Sequence, residues 1–391
     1  MKLFLFFLAI SFCIAVSAED IEALKKSAES GNTEARSRLG FYYYDNKNYA
    51  EAMKWIRMSA EQGDPYAQLL LAKIYLCGEG VPENREEAFK WTLRSAEQGY
   101  AAAEHILGSL YEEKIPPDYA NAVKWYRKAA EQGYADAQYS LGWSYKEGRG
   151  VPQSEEEAFK LFLAAAEHGH ADSQYCLGMA YRLGKGVSQD YSDAEYWLEK
   201  AADVGGNSNA MYVLGMMYRE GEGVMQDHAA AFGYLMAAAE KGDIDAQYVI
   251  GIAYSDGEGV PENDPEAVKW FLKSAGQGYR NAQHTLGVMY TYGEGVPQDY
   301  IEAVKWYRKA AEQGFSKAQC NLGYMYEMGY GVKQDYPEAF KWYLKAAEQN
   351  YPKAQQALGD MYEKGVGVKQ DNAEAAKWYK KAKENGYVKE E

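Results

Sequence analysis

The sequence lacks the short motifs that mark common catalytic sites. It contains no H-E-x-x-H, no G-x-S-x-G and no S-x-x-K, which are signatures of zinc proteases, serine hydrolases and penicillin-recognising enzymes. Only five histidines occur, and only His168 and His170 lie close together, with Asp172 nearby. These three side chains are metal-capable types, but their spacing is a weak signal for a metal site. We therefore predict no enzyme, no metal site and no cofactor.

Basic residues are scarce relative to acidic residues. The chain has 42 Lys and Arg against 57 Asp and Glu, which gives a formal net charge of −15. A chain this anionic has no electrostatic reason to bind nucleic acid or anionic lipid head groups broadly. We expect neither a nucleic-acid partner nor broad binding to anionic membranes.

Long apolar runs are absent after the first 18 residues. The N-terminus has one early positive charge, Lys2, an apolar run from Leu3 to Val16, and small residues up to Ala18, as in a cleavable signal peptide. An uncleaved anchor is less favoured, because the run is shorter than the ~20 residues that a membrane-spanning helix needs. We predict export to the periplasm or outside the cell, or to the secretory-pathway lumen if the source is eukaryotic.

One stretch of the sequence returns ten times. Residues 282–314 read AQHTLGVMYTYGEGVPQDYIEAVKWYRKAAEQG, and edited copies follow one another at steps of 32 to 37 residues. A period in this range, sustained along the chain, indicates a solenoid of stacked units rather than one globular core.

Each copy reads as two helices. In the first half, Ala282, Leu286 and Tyr290 follow a spacing of four and share one helical face. In the second half, the apolar residues from Ala303 to Ala311 follow the three-and-four spacing of another buried face. The glycine after the leucine returns in nine copies, although glycine costs roughly 1 kcal/mol inside a helix. We therefore expect another helix to pass close to it.

Turn and cap residues separate the two helices. The first helix is followed by G-x-G-V, often with Pro next, which predicts a rigid turn. No P-loop Lys-Ser/Thr follows, so a phosphate loop is the less favoured interpretation. The second helix is preceded in every copy by a good N-cap residue. These residues are Asn48, Asn84, Asp118, Ser154, Asp190, Asp227, Asn263, Asp299, Asp335 and Asp371.

The combination A-Q-x-x-L-G-x-x-Y-x-x-G-x-G-V, then D-x-x-x-A-x-x-W-x-x-K-A-A-E-Q-G, resembles the Sel1-like repeat, a relative of the tetratricopeptide repeat. The resemblance implies an all-α, right-handed solenoid of about ten helix-turn-helix repeats. It also implies a scaffold for protein or peptide partners, with bacterial relatives in envelope or host contact. Some disulfide-rich bacterial relatives bind β-lactam-type ligands. The alternative is therefore a small-ligand or cell-wall-fragment (muropeptide or β-lactam) binding protein or weak hydrolase.

We divide the chain into a signal peptide (1–18), an N-terminal capping helix (19–32), ten repeats (33–387) and a charged tail (388–391). The predicted repeats are 33–64, 65–100, 101–134, 135–170, 171–207, 208–243, 244–279, 280–315, 316–351 and 352–387. Cys77, Cys176 and Cys320 fall in different repeats, too far apart for the ~7 Å that a disulfide allows between Cα atoms. We predict three thiols that are buried or partly buried. The sequence leaves the oligomeric state open.

The predicted binding surface is formed by two positions of each first helix. One lies two residues before the leucine of the Leu-Gly pair and the other lies two residues after it, as Tyr139 and Trp143 do around Leu141. If the first helices line the concave groove, as in related repeats, these positions point into it. Contiguous exposed Tyr, Trp and Met side chains usually mark an interaction surface. The alternative is that the same side chains pack between neighbouring helices and serve only the core.

Arginines accompany this surface. Arg182 and Arg219 lie three residues after the second position and could pair with carboxylates of a ligand or neutralise a neighbour such as Glu220. The predicted groove residues are Tyr139, Trp143, Tyr175, Met179, Arg182, Tyr212, Met216, Arg219, Tyr248, Ile252 and His284.

Overall fold

The computed structural model describes residues 18–203 and 205–387, which form 21 helices and no strand. The predicted signal peptide, apart from Ala18, and the predicted charged tail lie outside the described residues. The helices are α1 Ala18–Glu29, α2 Thr33–Asp45, α3 Tyr49–Glu61, α4 Pro65–Cys77, α5 Arg85–Glu97, α6 Ala101–Glu112, α7 Tyr119–Glu131, α8 Ala135–Glu147, α9 Glu155–Glu167, α10 Ala171–Leu183, α11 Tyr191–Asp203, α12 Ser208–Glu220, α13 His228–Glu240, α14 Ile244–Asp256, α15 Asp264–Gly276, α16 Arg280–Tyr292, α17 Tyr300–Glu312, α18 Ser316–Met328, α19 Tyr336–Glu348, α20 Pro352–Lys364 and α21 Asn372–Glu384.

The helices group into two compact units, one ending at Asp190 and the other beginning at Tyr191. The first unit contains α1–α10 and the second contains α11–α21. In each unit every helix packs against the next helix along the chain. Each unit is therefore a helical-repeat solenoid, as the period predicts. None of the described helices has the length and apolar character needed to cross a membrane.

The eighth repeat, α16 and α17, shows how the core is built. Ala282 and Leu286 on α16 are fully buried, and so are Ala303 and Ala310 on α17. Trp306 is 8% exposed. The spacing in the sequence thus identifies the buried faces correctly. Burying a leucine stabilises the fold by about 1.5–3 kcal/mol, so these faces hold the two helices together.

Gly287 lies where the two helices of the repeat pass closest. A Cβ atom built at this position would overlap the ring of Tyr307 on α17, which confirms the expected close approach. The exception among the ten repeats is Ala72, which is buried. Its partner helix carries Thr92 at the position of Tyr307, and a smaller facing residue leaves room for the extra methyl group.

Predicted N-caps are observed as side-chain hydrogen bonds to the backbone at the start of the second helices. Asp299, for example, accepts hydrogen bonds from the backbone N–H groups of Ile301 and Glu302. These bonds satisfy donors that have no partner inside the helix. These capping residues include Asn48, Asn84, Asp118, Ser154, Asp227, Asn263, Asp299, Asp335 and Asp371.

A buried glutamine on the first helix pairs with an exposed glutamine at the end of the second helix and so joins successive helices. Gln283 Nε2 donates to the carbonyl oxygen of Ala275 at 3.2 Å, and its Oε1 accepts from Gln313 Nε2 at 2.7 Å. The sequence reasoning missed this role, although Gln recurs in A-Q and in E-Q-G, 30 residues apart. The same pairing occurs at Gln68 with Gln98, Gln247 with Gln277 and Gln319 with Gln349.

Glu104 replaces the glutamine in the third repeat, where it is 3% exposed and accepts a hydrogen bond from Gln132 Nε2. Burial raises the pKa of Glu104, which Lys128 only partly opposes. The folded state therefore binds this proton more tightly than the unfolded chain, and stability is lost as the pH rises from about 4.3 through the raised pKa. We expect Glu104→Gln to stabilise the protein by about 1 kcal/mol at neutral pH and less near pH 4.

Urea unfolding of both proteins at the two pH values measures this difference. A gain that is the same at both pH values would show that ionisation of Glu104 carries no cost in the folded state.

Candidate partner-binding surface

All eleven predicted groove residues are partly buried. We call the surface formed by these eleven residues, and by residues at the same repeat positions, the first-helix surface. In the first unit it includes Tyr139 and Trp143 on α8 and Tyr175, Met179 and Arg182 on α10. In the second unit it includes Tyr212, Met216 and Arg219 on α12, Tyr248 and Ile252 on α14, and His284 on α16.

The rings two residues before the leucine join one repeat to the next. The ring centroid of Tyr248 lies 5.6 Å from that of Phe271 on the second helix of its own repeat, and 5.1 Å from that of Tyr279, the residue that precedes the first helix of the next repeat. Tyr139 and His284 are placed in the same way. These rings therefore have a packing role, and they keep part of their surface exposed. Their role in binding stays a prediction.

His284 is neutral in this environment. Burial, followed by the influence of Lys317, lowers the pKa of His284 to about 4. Its Nε2 lies 3.1 Å from Nδ2 of Asn321. Because an amide nitrogen is a donor, Nε2 acts as the acceptor. His284 thus serves as a fixed hydrogen-bonding ring rather than as a charged ligand group.

Residues of the first-helix surface line pockets between successive first helices in the first unit. The α8–α10 pocket has a volume of about 170 Å³ and is lined by Trp143, Tyr175 and Met179, among others. The α2–α4 pocket has a volume of about 200 Å³ and lies at the equivalent repeat positions, with Phe41 and Leu69 in its lining. The sequence reasoning placed the surface only from the fourth repeat onward and missed the second pocket.

The basic residues of the surface differ in their partners. Arg219 Nε donates to Glu258 Oε2 at 2.8 Å, so its partner is in the following repeat and is not Glu220. The pKa of Glu258 lies below its usual range, chiefly because of this hydrogen bond. Lys146 lies over the ring of Trp143, with Nζ 4.3 Å from the ring centroid.

Two exposed tyrosines extend the aromatic character beyond the predicted residues. Tyr292 is 70% exposed and Tyr324 is 46% exposed. Tyr324 occupies the same repeat position as Trp143, so the repeat alignment contained the signal that identifies it.

The two neighbouring histidines do not form a common metal site. His168 Nδ1 lies 2.7 Å from the carbonyl oxygen of Ala164, whereas His170 Nδ1 accepts from the backbone N–H of Ser173, and its Nε2 lies 3.3 Å from Asp136 Oδ1. No group of three or more metal-binding side chains occurs among residues 20–203 and 205–387.

Ser173, His170 and Asp136 superficially resemble a hydrolase triad. Ser173 Oγ lies 2.9 Å from His170 Nδ1. However, Ser173 is fully buried, and its own backbone N–H points at the same nitrogen. A nucleophile needs access to substrate as well as an adjacent base. His170 is therefore the N-cap of α10, and the arrangement does not support hydrolysis.

The three cysteines of the described chain are free. Cys176 and Cys320 are buried, and burial raises the pKa of each thiol to about 12. Such thiols stay protonated and unreactive at neutral pH. Cys77 is exposed, so the prediction that all three thiols are at least partly buried is wrong at this position, which is the last residue of α4.

The Sel1 repeat model matches the chain ten times, over residues 33–64, 65–100, 101–134, 135–170, 171–206, 208–243, 244–279, 280–315, 316–351 and 352–387. The chain belongs to the Sel1 repeat family. This family consists generally of non-enzymatic scaffolds that commonly act in protein interactions.

Solved structures of Sel1 repeat proteins share this fold. A protective antigen present in uropathogenic Escherichia coli strains, which displays an SLR fold, is 33% identical over 93% of this chain and 89% of that chain, with a TM-score of 0.65. A Sel1 repeat protein from Oxalobacter formigenes is 35% identical over 79% of this chain and 92% of that chain, with a TM-score of 0.64. No curated protein is found to match the chain.

Proposed function

We propose that this Sel1 repeat chain is an exported scaffold that binds protein or peptide partners through its first-helix surface. The observation that carries the binding proposal is the pair of pockets at equivalent repeat positions in the first unit. Aromatic and Met side chains around a pocket are typical of the residues that supply most of the binding energy in protein interfaces. Repetition of such a pocket suits an extended partner that contacts several repeats.

The packing of the aromatic rings supports this proposal. The ring centroid of Trp143 lies 6.1 Å from that of buried Phe162, and that of Tyr139 lies 5.9 Å from it. A ring held by its neighbours loses little conformational freedom when a partner binds. The same contacts that join the helices therefore prepare the surface for binding.

Export and a role in envelope or host interaction are part of the proposal. Export is supported by the charge and apolar pattern of residues 1–18. One structural relative is a protective antigen of uropathogenic Escherichia coli strains. We extend a role at the cell envelope or in host contact to this chain on that likeness.

Site-specific photo-crosslinking in cells of the source organism tests both parts. A photoreactive residue replaces Met179 or Met216 on the first-helix surface, and Lys160 or Lys269 on exposed second-helix faces as matched controls. We expect discrete protein adducts from the first two positions only. The same samples give the N-terminus of the chain by mass spectrometry, and we expect it at Glu19.

Adducts only at the control positions, or equally at all four, would rule out the first-helix surface as the binding site. A chain that retains residues 1–18 and stays in the cytoplasm would rule out export. The crosslinking pattern tests the binding surface and the N-terminus tests export, so either proposal can be rejected without the other.

A further inference from the structure

The α8–α10 pocket has the size and lining of a site for one apolar side chain. Its volume is about 170 Å³, and a cavity of about 150 Å³ is large enough for a benzene ring. Phe159, Phe162 and Met179 line it together with the small side chains of Ala158 and Ala180. An aromatic or large aliphatic side chain can therefore be buried there.

Two lysines line the same pocket. Lys146 extends from α8, and Lys185 lies in the loop after α10. Neither lysine forms an ion pair with any other residue between 20 and 203 or between 205 and 387. Glu155 is the one carboxylate residue in the lining. The chain as a whole has more acidic than basic residues, 57 against 42. The lining of this apolar pocket instead has two lysines and one glutamate.

The same repeat positions carry opposite charges elsewhere. Arg219 and Glu258 stand 39 residues apart, as Lys146 and Lys185 do, and form an ion pair of 2.8 Å. In the third repeat, Glu112 occupies the position that Lys146 has in the fourth repeat, which is the first of the two positions. Burial raises the pKa of Glu112, and Arg149, at the second position, opposes that rise. In those repeats one of the two positions carries a carboxylate and the other an arginine. At the α8–α10 pocket both positions carry lysine.

We propose that the α8–α10 pocket binds an acidic peptide segment, which inserts one apolar side chain between the helices and places carboxylates beside Lys146 and Lys185. This inference rests on the proposed function and names the class of partner for one site on the first-helix surface. A carboxylate beside the lysines forms charge-assisted hydrogen bonds with their ammonium groups. The apolar side chain adds burial that a free acidic ion cannot supply.

Binding of three labelled nonapeptides to the whole mature chain tests the inference. Each peptide has a central Phe, flanked by Asp and Glu, by Lys, or by Ser and Gly, and its affinity is read by fluorescence anisotropy. We expect the acidic peptide to bind at least about tenfold more tightly than the other two, a difference detectable as a shift in Kd. Raising the salt concentration from about 50 to about 300 mM should reduce that preference.

Charge reversal supplies the specific control. In Lys146→Glu/Lys185→Glu we expect the affinity for the acidic peptide to fall about tenfold and the preference to change to the basic peptide. Lys333→Glu/Lys369→Glu changes the net charge equally at two exposed loop lysines of the second unit and should leave binding unchanged. A reversed preference cannot result from misfolding, and circular dichroism and melting verify that both variants are folded.

A substitution that fills the pocket tests whether the apolar side chain of the peptide is inserted there. Ala180→Phe places a ring among the lining residues and should abolish binding of the acidic peptide. Equal affinity for all three peptides, or binding that is unaffected by Lys146→Glu/Lys185→Glu, would overturn the acidic-partner inference and leave the proposed function intact. Absence of binding by every peptide would also overturn it, while the crosslinking pattern would decide separately whether the surface binds any partner.

Discussion

Replacing Leu286 with alanine is expected to destabilise the surrounding repeats by about 2–5 kcal/mol. Leu286 is fully buried and belongs to a core cluster with Phe271, Met289 and Trp306. These residues come from three successive helices, α15, α16 and α17. The contact between Gly287 and the ring of Tyr307 already brings α16 and α17 to their closest approach. The helices therefore cannot move together to fill the cavity that the substitution leaves.

Hydrogen exchange measured by mass spectrometry locates this effect along the chain. Because repeats contact mainly their neighbours, we expect the loss of protection to centre on the seventh to ninth repeats. Tyr292→Ala is the control on the same helix, since Tyr292 is 70% exposed, and it should change protection little. Equal losses for the two substitutions would show that Leu286 is not a principal core contact.

The fold could be predicted from the sequence because each repeat separately indicates the same pair of helices. The same buried faces and cap residues recur from copy to copy, and the helix glycine recurs in nine of them, so a departure in one copy does not obscure the pattern. The Ala72 exception is also explained within the repeat, by Thr92 on the facing helix. Periodicity thus identifies the elements, their partners along the chain and the core residues.

The candidate site could be predicted only as a set of repeat positions. Whether such a position lines a pocket depends on side chains from adjacent repeats. The lining of the α8–α10 pocket includes Ala180, at a repeat position where α12, α16, α18 and α20 carry Met. Likewise, the partner of Arg219 is Glu258 in the following repeat, and the nearby Glu220 is not used. Such choices are settled by three-dimensional packing, which a one-dimensional pattern does not contain.

Replacing Gly295 with alanine is expected to destabilise the protein by about 2–5 kcal/mol, for two separable reasons. Gly295 has φ +66, a left-handed conformation that costs an L-residue roughly 1–2 kcal/mol. A Cβ atom would also lie 2.6 Å from the carbonyl carbon of Asp264, the first residue of α15 in the preceding repeat. Overlap in a packed region adds about 1–3 kcal/mol. The loop would have to move away from the start of α15.

Comparison with Gly278→Ala separates the cost of the overlap with Asp264 from the cost of the backbone conformation. Gly278 has φ +96, and nothing lies within 4 Å of a Cβ atom built there. This substitution should therefore carry the backbone cost alone, about 1–2 kcal/mol, with no loss of contact between repeats. Thermal unfolding of the two variants measures the difference, and hydrogen exchange should show loosening of the first turn of α15 only for Gly295→Ala, because Gly278 lies beyond the opposite end of that helix. If both glycines tolerate alanine equally, the second glycine of G-x-G-V serves only the turn conformation and does not allow successive repeats to stack closely.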